Sequence, residues 1–158
     1  MDIIIKKNIS KNKKNKKIKE SNDLKEKSDI FSNIYGIDKG VIELTLKDFT
    51  YDKKNKKLYI NNSYFNENKG IIIFYAPWCK HCVKMSDLII DLAISNLNIF
   101  YFGSVNVENI EDGNDYLAIY GNIHNLPTIK VINEDKSLEN YKFDYNIDNL
   151  IFYINTNI

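Results

Sequence analysis

Cys79 and Cys82 are the residues of this chain best suited to covalent chemistry, and only Lys80 and His81 stand between them. They are also the only cysteines, so no other disulfide can form within the chain. An apolar run, Ile71-Ile72-Ile73-Phe74-Tyr75, precedes them and ends in Ala76-Pro77-Trp78. That run has strand length, and beyond it Cys82, Met85, Leu88, Ile89, Leu92 and Ala93 recur at helical spacing. The stretch therefore reads as buried strand, tight turn and helix, with the thiols at the helix start. The first helical turn carries unpaired N–H groups and the positive end of the dipole. A thiolate is stabilised there, and the positive charge of Lys80 and His81 favours it further. One thiolate can attack a disulfide, and a second one close by can resolve the mixed disulfide that results.

Duller readings compete. Cysteine pairs at this spacing also hold zinc. Here the further ligands would be His81 and His124, and His81, between the cysteines, is poorly aimed for tetrahedral closure, so no metal is expected. A buried, unreactive pair is the structural alternative.

The segment Tyr75-Ala76-Pro77-Trp78-Cys79-Lys80-His81-Cys82 resembles the active site of the thioredoxin superfamily, closest to the catalytic domains of protein disulfide isomerases. A second segment, Tyr120-Gly121 followed by Leu126-Pro127-Thr128-Ile129, resembles the cis-proline segment of that superfamily. Val41-Ile42-Glu43-Leu44-Thr45 with Asp48-Phe49 resembles the first strand of an isomerase domain. The resemblance covers roughly residues 41 to 158 and implies an α/β thioredoxin fold, a central mixed β-sheet flanked by helices. It implies that Cys79 attacks, Cys82 resolves, and His81 and Lys80 set the redox poise. It also implies that Leu126 and Pro127 offer backbone groups to an extended substrate. Trp78 becomes a partly exposed platform beside the thiols, with plain core filler as the alternative. The cysteine pair is then the redox group and no bound cofactor is needed. The implied partners are proteins bearing disulfides or thiols, and a reductase or oxidase that resets the pair. A His before the second Cys implies a more oxidising pair than thioredoxin's, nearer about −180 mV than about −270 mV.

Three departures accompany the resemblance. Family members usually carry a buried Asp or Glu six residues before the first Cys, where it helps to move the proton of the resolving thiol; that place is Ile73. Resolution is therefore expected to be slow. A helix-kinking Pro usually follows the second Cys by five residues; that place is Asp87. The helix usual before the motif strand is replaced by Tyr51 to Ile60, which reads as a hairpin with a lysine-rich tip, then an Asn61-Asn62-Ser63 turn, with a short helix over Tyr64 to Asn68 as the alternative.

Around these landmarks the remaining elements follow from periodicity. Val41 to Leu46 and Ile99 to Val107 read as strands, Asp115 to Tyr120 as a short helix ended by Gly121, and Leu138 to Phe143 as an edge strand. Ile147, Leu150, Ile151 and Ile154 mark a closing amphipathic helix. Residues 1–35 read as a lysine-rich flexible tail, transiently helical from Lys16 to Lys27, and residues 36–158 as the folded domain. Such a tail can make weak, non-specific contact with anions or nucleic acid. No aromatic residue interleaves the lysines of the Lys11–Lys17 run, so base stacking is not suggested.

Formal net charge is only +1, so no global electrostatic partner is implied. Every basic residue is Lys, which removes the bidentate guanidinium used to read phosphate or guanine. The Asn, Ile, Lys and Tyr usage resembles products of AT-rich genomes, including some large DNA viruses. No segment has the length of a membrane span, and Ile3-Ile4-Ile5 is too short for a signal-peptide core. The expected address is the cytoplasm or an assembled virion. The expected function is thiol–disulfide exchange. The alternative is a redox-weak binding or virion-structural module on the same scaffold, and a third reading makes the lysine tail primary and the protein nucleic-acid-associated.

Overall fold

A computed structural model describes residues 34–67 and 69–158. The lysine-rich run and the helix expected over Lys16 to Lys27 lie outside the described residues. Among the described residues seven strands form, β1 (Val41–Glu43), β2 (Phe49–Asp52), β3 (Lys57–Ile60), β4 (Gly70–Tyr75), β5 (Tyr101–Asn106), β6 (Thr128–Ile132) and β7 (Leu138–Asn140). Among the same residues three α-helices accompany them, α1 (Lys80–Ser95), α2 (Asn114–Tyr120) and α3 (Ile147–Asn157).

The main sheet has the order β1-β5-β4-β6-β7. β4 runs parallel to β5, which runs parallel to β1, while β6 and β7 are antiparallel to their neighbours. This is a thioredoxin fold, a mixed central sheet flanked by helices. Every residue of β4 is buried, as a central strand covered on both faces must be. The sheet register lines up Glu43 of β1, Ser104 of β5, Ile73 of β4 and Ile129 of β6 in one row. Residues in one such row point to the same face, as do residues two apart along a strand, so Tyr75 shares that face with Ile73.

β2 and β3 form the expected hairpin, paired from Phe49↔Ile60 to Asp52↔Lys57. Asp52 holds the lysine-rich tip by accepting the backbone N–H groups of Lys54 and Asn55. Leu58 and Ile60 are buried, and Tyr51 stacks on Tyr120 at the end of α2 with ring centroids 4.3 Å apart. After the hairpin comes one short 3-10 turn, Ser63–Phe65, capped by Asn62. Phe65 anchors it by burial.

Three boundaries differ from those expected. The first strand ends at Glu43 rather than Leu46, because Thr45 caps a 3-10 turn over Leu46–Asp48. Tyr35, assigned to the tail by composition, is 1% exposed and packs edge-on against Tyr75, with ring centroids 4.9 Å apart. Ile34, which composition also places in the tail, is buried with it. The edge strand stops at Asn140 rather than Phe143. There Tyr141 turns inward, and its ring packs on Phe143 and Tyr153 while its N–H still reaches Ile129 O. Among the described residues no helix is long and apolar enough to cross a membrane.

Candidate active site

The turn after β4 brings the chain from a buried strand to the start of α1 within four residues. Cys79 is the N-cap residue of α1, and its Sγ accepts the backbone N–H of Cys82 at 3.2 Å. The sulfur thus occupies the place where a Ser or Asp oxygen usually satisfies an orphan donor. Both cysteines are free thiols. Cys79 is 4% exposed and Cys82 fully buried. Burial pushes the Cys82 thiol well above its ordinary range; the hydrogen bond with Cys79 adds to this, and a backbone contact at Ala76 opposes it. Cys82 therefore holds its proton firmly at neutral pH.

Lys80 and His81 are exposed on the first turn of α1, which runs without a break through Asp87 to Ser95. His81 helps to line a shallow cleft of about 440 Å³ with Lys84, Met85, Leu88, Pro127 and Tyr145. The α1 face and the loop before β6 thus meet, although 45 residues lie between His81 and Pro127 in sequence. The Leu126–Pro127 bond is cis, and both residues are half-buried. Thr128, next in the chain, pairs with Phe74, so Pro127 lies at the same end of the sheet as the motif turn. Trp78 is half-buried and its indole N–H donates to Glu108 Oε1 at 2.8 Å, which fixes the ring beside the turn. His124 is exposed and does not line the cleft. Among the described residues no group of three or more His, Cys, Asp or Glu side chains is placed to hold a metal ion.

Three contributors were not anticipated. Tyr145 accepts the N–H of Ile129 at 2.9 Å and lines the cleft; the alternating aromatics Tyr141, Phe143 and Tyr145 were its only signal. Glu108 orients Trp78, and no local pattern marks it. Tyr35 is buried against Tyr75, its phenol oxygen has no hydrogen-bond partner, and both cysteines act electrostatically on it.

A family model described as thioredoxin matches residues 49–156. A protein disulfide-isomerase of Medicago sativa is 27% identical over 120 residues, covering 71% of this chain and 23% of that protein. Protein disulfide-isomerase 1 of Dictyostelium discoideum is 27% identical over 85 residues, covering 52% of this chain and 23% of that protein. The chain thus spans about a quarter of the length of these curated relatives. Among solved structures, the J-Trx1 fragment of ERdj5 superposes with a TM-score of 0.57 at 18% identity, covering 78% of this chain and 54% of that one. The Trx4 domain of ERdj5 gives 0.51 at 18% identity, over 74% of this chain and 94% of that one.

Proposed function

The chain belongs to the thioredoxin family, and on that premise we propose that it exchanges thiols and disulfides on protein substrates through Cys79 and Cys82. The observation that carries this reading is Cys79 Sγ at the N-cap of α1, 3.2 Å from the Cys82 N–H. A thiolate on Cys79 gains from that donor and from the positive end of the helix. It attacks one sulfur of a substrate disulfide, the substrate S–S bond breaks, and the first substrate thiolate leaves. Cys82, as thiolate, then attacks Cys79 Sγ. The Cys79–Cys82 bond forms, the mixed disulfide breaks, and the second substrate thiolate departs. The substrate is reduced by two electrons and the pair is oxidised. Run backwards, the same steps oxidise a dithiol.

The cleft beside the turn supports a role for Pro127 and Leu126 in holding an extended substrate strand, with His81 and Lys80 adjusting the poise and Trp78 forming a wall. An insulin-reduction assay and refolding of a scrambled disulfide protein test the reading, with Cys79→Ser as control. Turnover that vanishes in Cys79→Ser supports it, whereas turnover absent from the wild-type chain rejects it. The second reading, a redox-weak binding module, is favoured by the 4% exposure of Cys79. It requires partner capture that survives Cys79→Ser.

A further inference from the structure

Cys82 has to lose a proton before it can resolve a mixed disulfide, and burial makes that loss costly. The strand position from which the family supplies an acid holds Ile73, which is fully buried. On the β5 side of Ile73 the same sheet row is polar, while on the β6 side it holds Ile129. Ser104 lies beside Ile73 on β5, and Glu43 lies beside Ser104 on β1.

These residues border a hollow of about 300 Å³ that Tyr75, Asn106 and Asn114 also line. Ser104 Oγ and Asn114 Oδ1 are buried there without a hydrogen-bond partner. Orphan polar atoms around a space of this size make it a place for water. Tyr75 lines this hollow beside Glu43, and both the Glu43 carboxylate and Cys82 act electrostatically on its phenol, which burial already pushes far up. Glu43 stands at the exposed mouth. Partial burial raises its carboxyl above the ordinary range, Asp38 raises it further, and Lys39 opposes both.

We propose that Glu43 takes up the proton of the Cys82 thiol during resolution, through the Tyr75 hydroxyl and water in this hollow, and so does from β1 what a carboxyl at position 73 does in the family. The inference rests on the exchange reading given above. Cys82–SH passes its proton into the hollow and becomes the thiolate, and Glu43 receives a proton there and returns it to solvent at the mouth. The Cys82 sulfur then bonds to Cys79 Sγ. The electron pair of the broken mixed disulfide leaves with the substrate sulfur, which is protonated from solvent. The substrate disulfide is the only oxidant required.

The test uses the full chain and an aromatic disulfide reagent of the nitrothiobenzoate type, whose released thiolate is coloured. Attack by Cys79 gives a first release that scales with reagent concentration. Resolution by Cys82 gives a second release that does not. In Glu43→Gln the second release slows by at least about tenfold while the first is unchanged. In the wild type the second release rises with pH as Glu43 ionises, at a midpoint above the ordinary carboxylate range, and Glu43→Gln lacks that limb. The charged and titratable groups facing Glu43 are Asp38 and Lys39 from the turn before β1 and Tyr75 from β4. Tyr75→Phe, which keeps the ring packed on Tyr35, slows the same phase. A second release unchanged in rate and pH profile in both variants overturns the proton route alone. Absence of the first release in the wild type overturns the exchange reading and the route with it.

Discussion

Two hollows, one beside the first turns of α1 and one beside β1 and β5, differ in chemistry. The outer one is bounded by Met85, Leu88, Pro127 and Tyr145, with His81 and Lys84 at its rim. The inner one is bounded by Glu43, Thr45, Tyr75, Ser104, Asn106 and Asn114. The first is largely apolar and sits where an extended chain can lie against the loop before β6. The second is largely polar and includes Tyr75, which shares a sheet face with Ile73. Cys79 caps α1 and is nearly buried, and Cys82 is fully buried. On the exchange reading proposed above, the two sulfurs need opposite surroundings. A nucleophile needs access and a donor, whereas a resolving thiol needs shelter and a way out for its proton.

The comparison breaks most completely at the sulfurs. Cys79→Ser abolishes both thiolate releases. Cys82→Ser allows the first and leaves the protein trapped as a mixed disulfide, which intact-mass measurement detects. Next in size is the transfer of the acid back to β4. Ile73→Glu in the Glu43→Gln background restores the second release, because the carboxyl then stands in the row beside Ser104. Its burial lowers Tm, and the thermal melt is recorded first to establish that the variant folds.

A smaller effect is expected on the outer side. Tyr145→Phe removes the acceptor of the Ile129 N–H and costs about 1 kcal/mol in denaturant unfolding. Because the lost bond ties Tyr145 to the strand that follows Pro127, the substitution also raises KM for a protein substrate while leaving the second release unchanged. The smallest effect is a control. Lys130 is buried in β6 and lines neither hollow, and burial lowers its pKa. Its unfolded form binds the proton more tightly, so its contribution to stability improves as pH rises from its folded pKa toward its unfolded one. The Tm advantage of Lys130→Met over wild type therefore shrinks as pH approaches the ordinary lysine range, with both thiolate releases unaltered.

Much of this was readable in order along the chain. The strand–turn–helix around Cys79 is local, because an unbroken apolar run gives way to helical spacing within a few residues. The hairpin was equally legible, since Tyr51 to Ile60 alternates around a polar tip that Asp52 can hold. Tyr35 and the early end of β7 were not. In both places an aromatic ring is drawn into a cluster whose other members are distant in sequence, Tyr75 for Tyr35, and Tyr153 for Tyr141.

The amino-acid order by itself determined which atoms can react and on which local element they stand, because a cysteine pair at a helix start needs only neighbouring residues to define it. It also exposed a gap, Ile73 where the resemblance leads one to expect an acid. Only the tertiary structure decided what surrounds that gap. Strand register is set by packing across the whole sheet, and it is register that puts Glu43 and Ser104 in line with Ile73, and chain folding that brings Pro127 and Tyr145 to the face of α1.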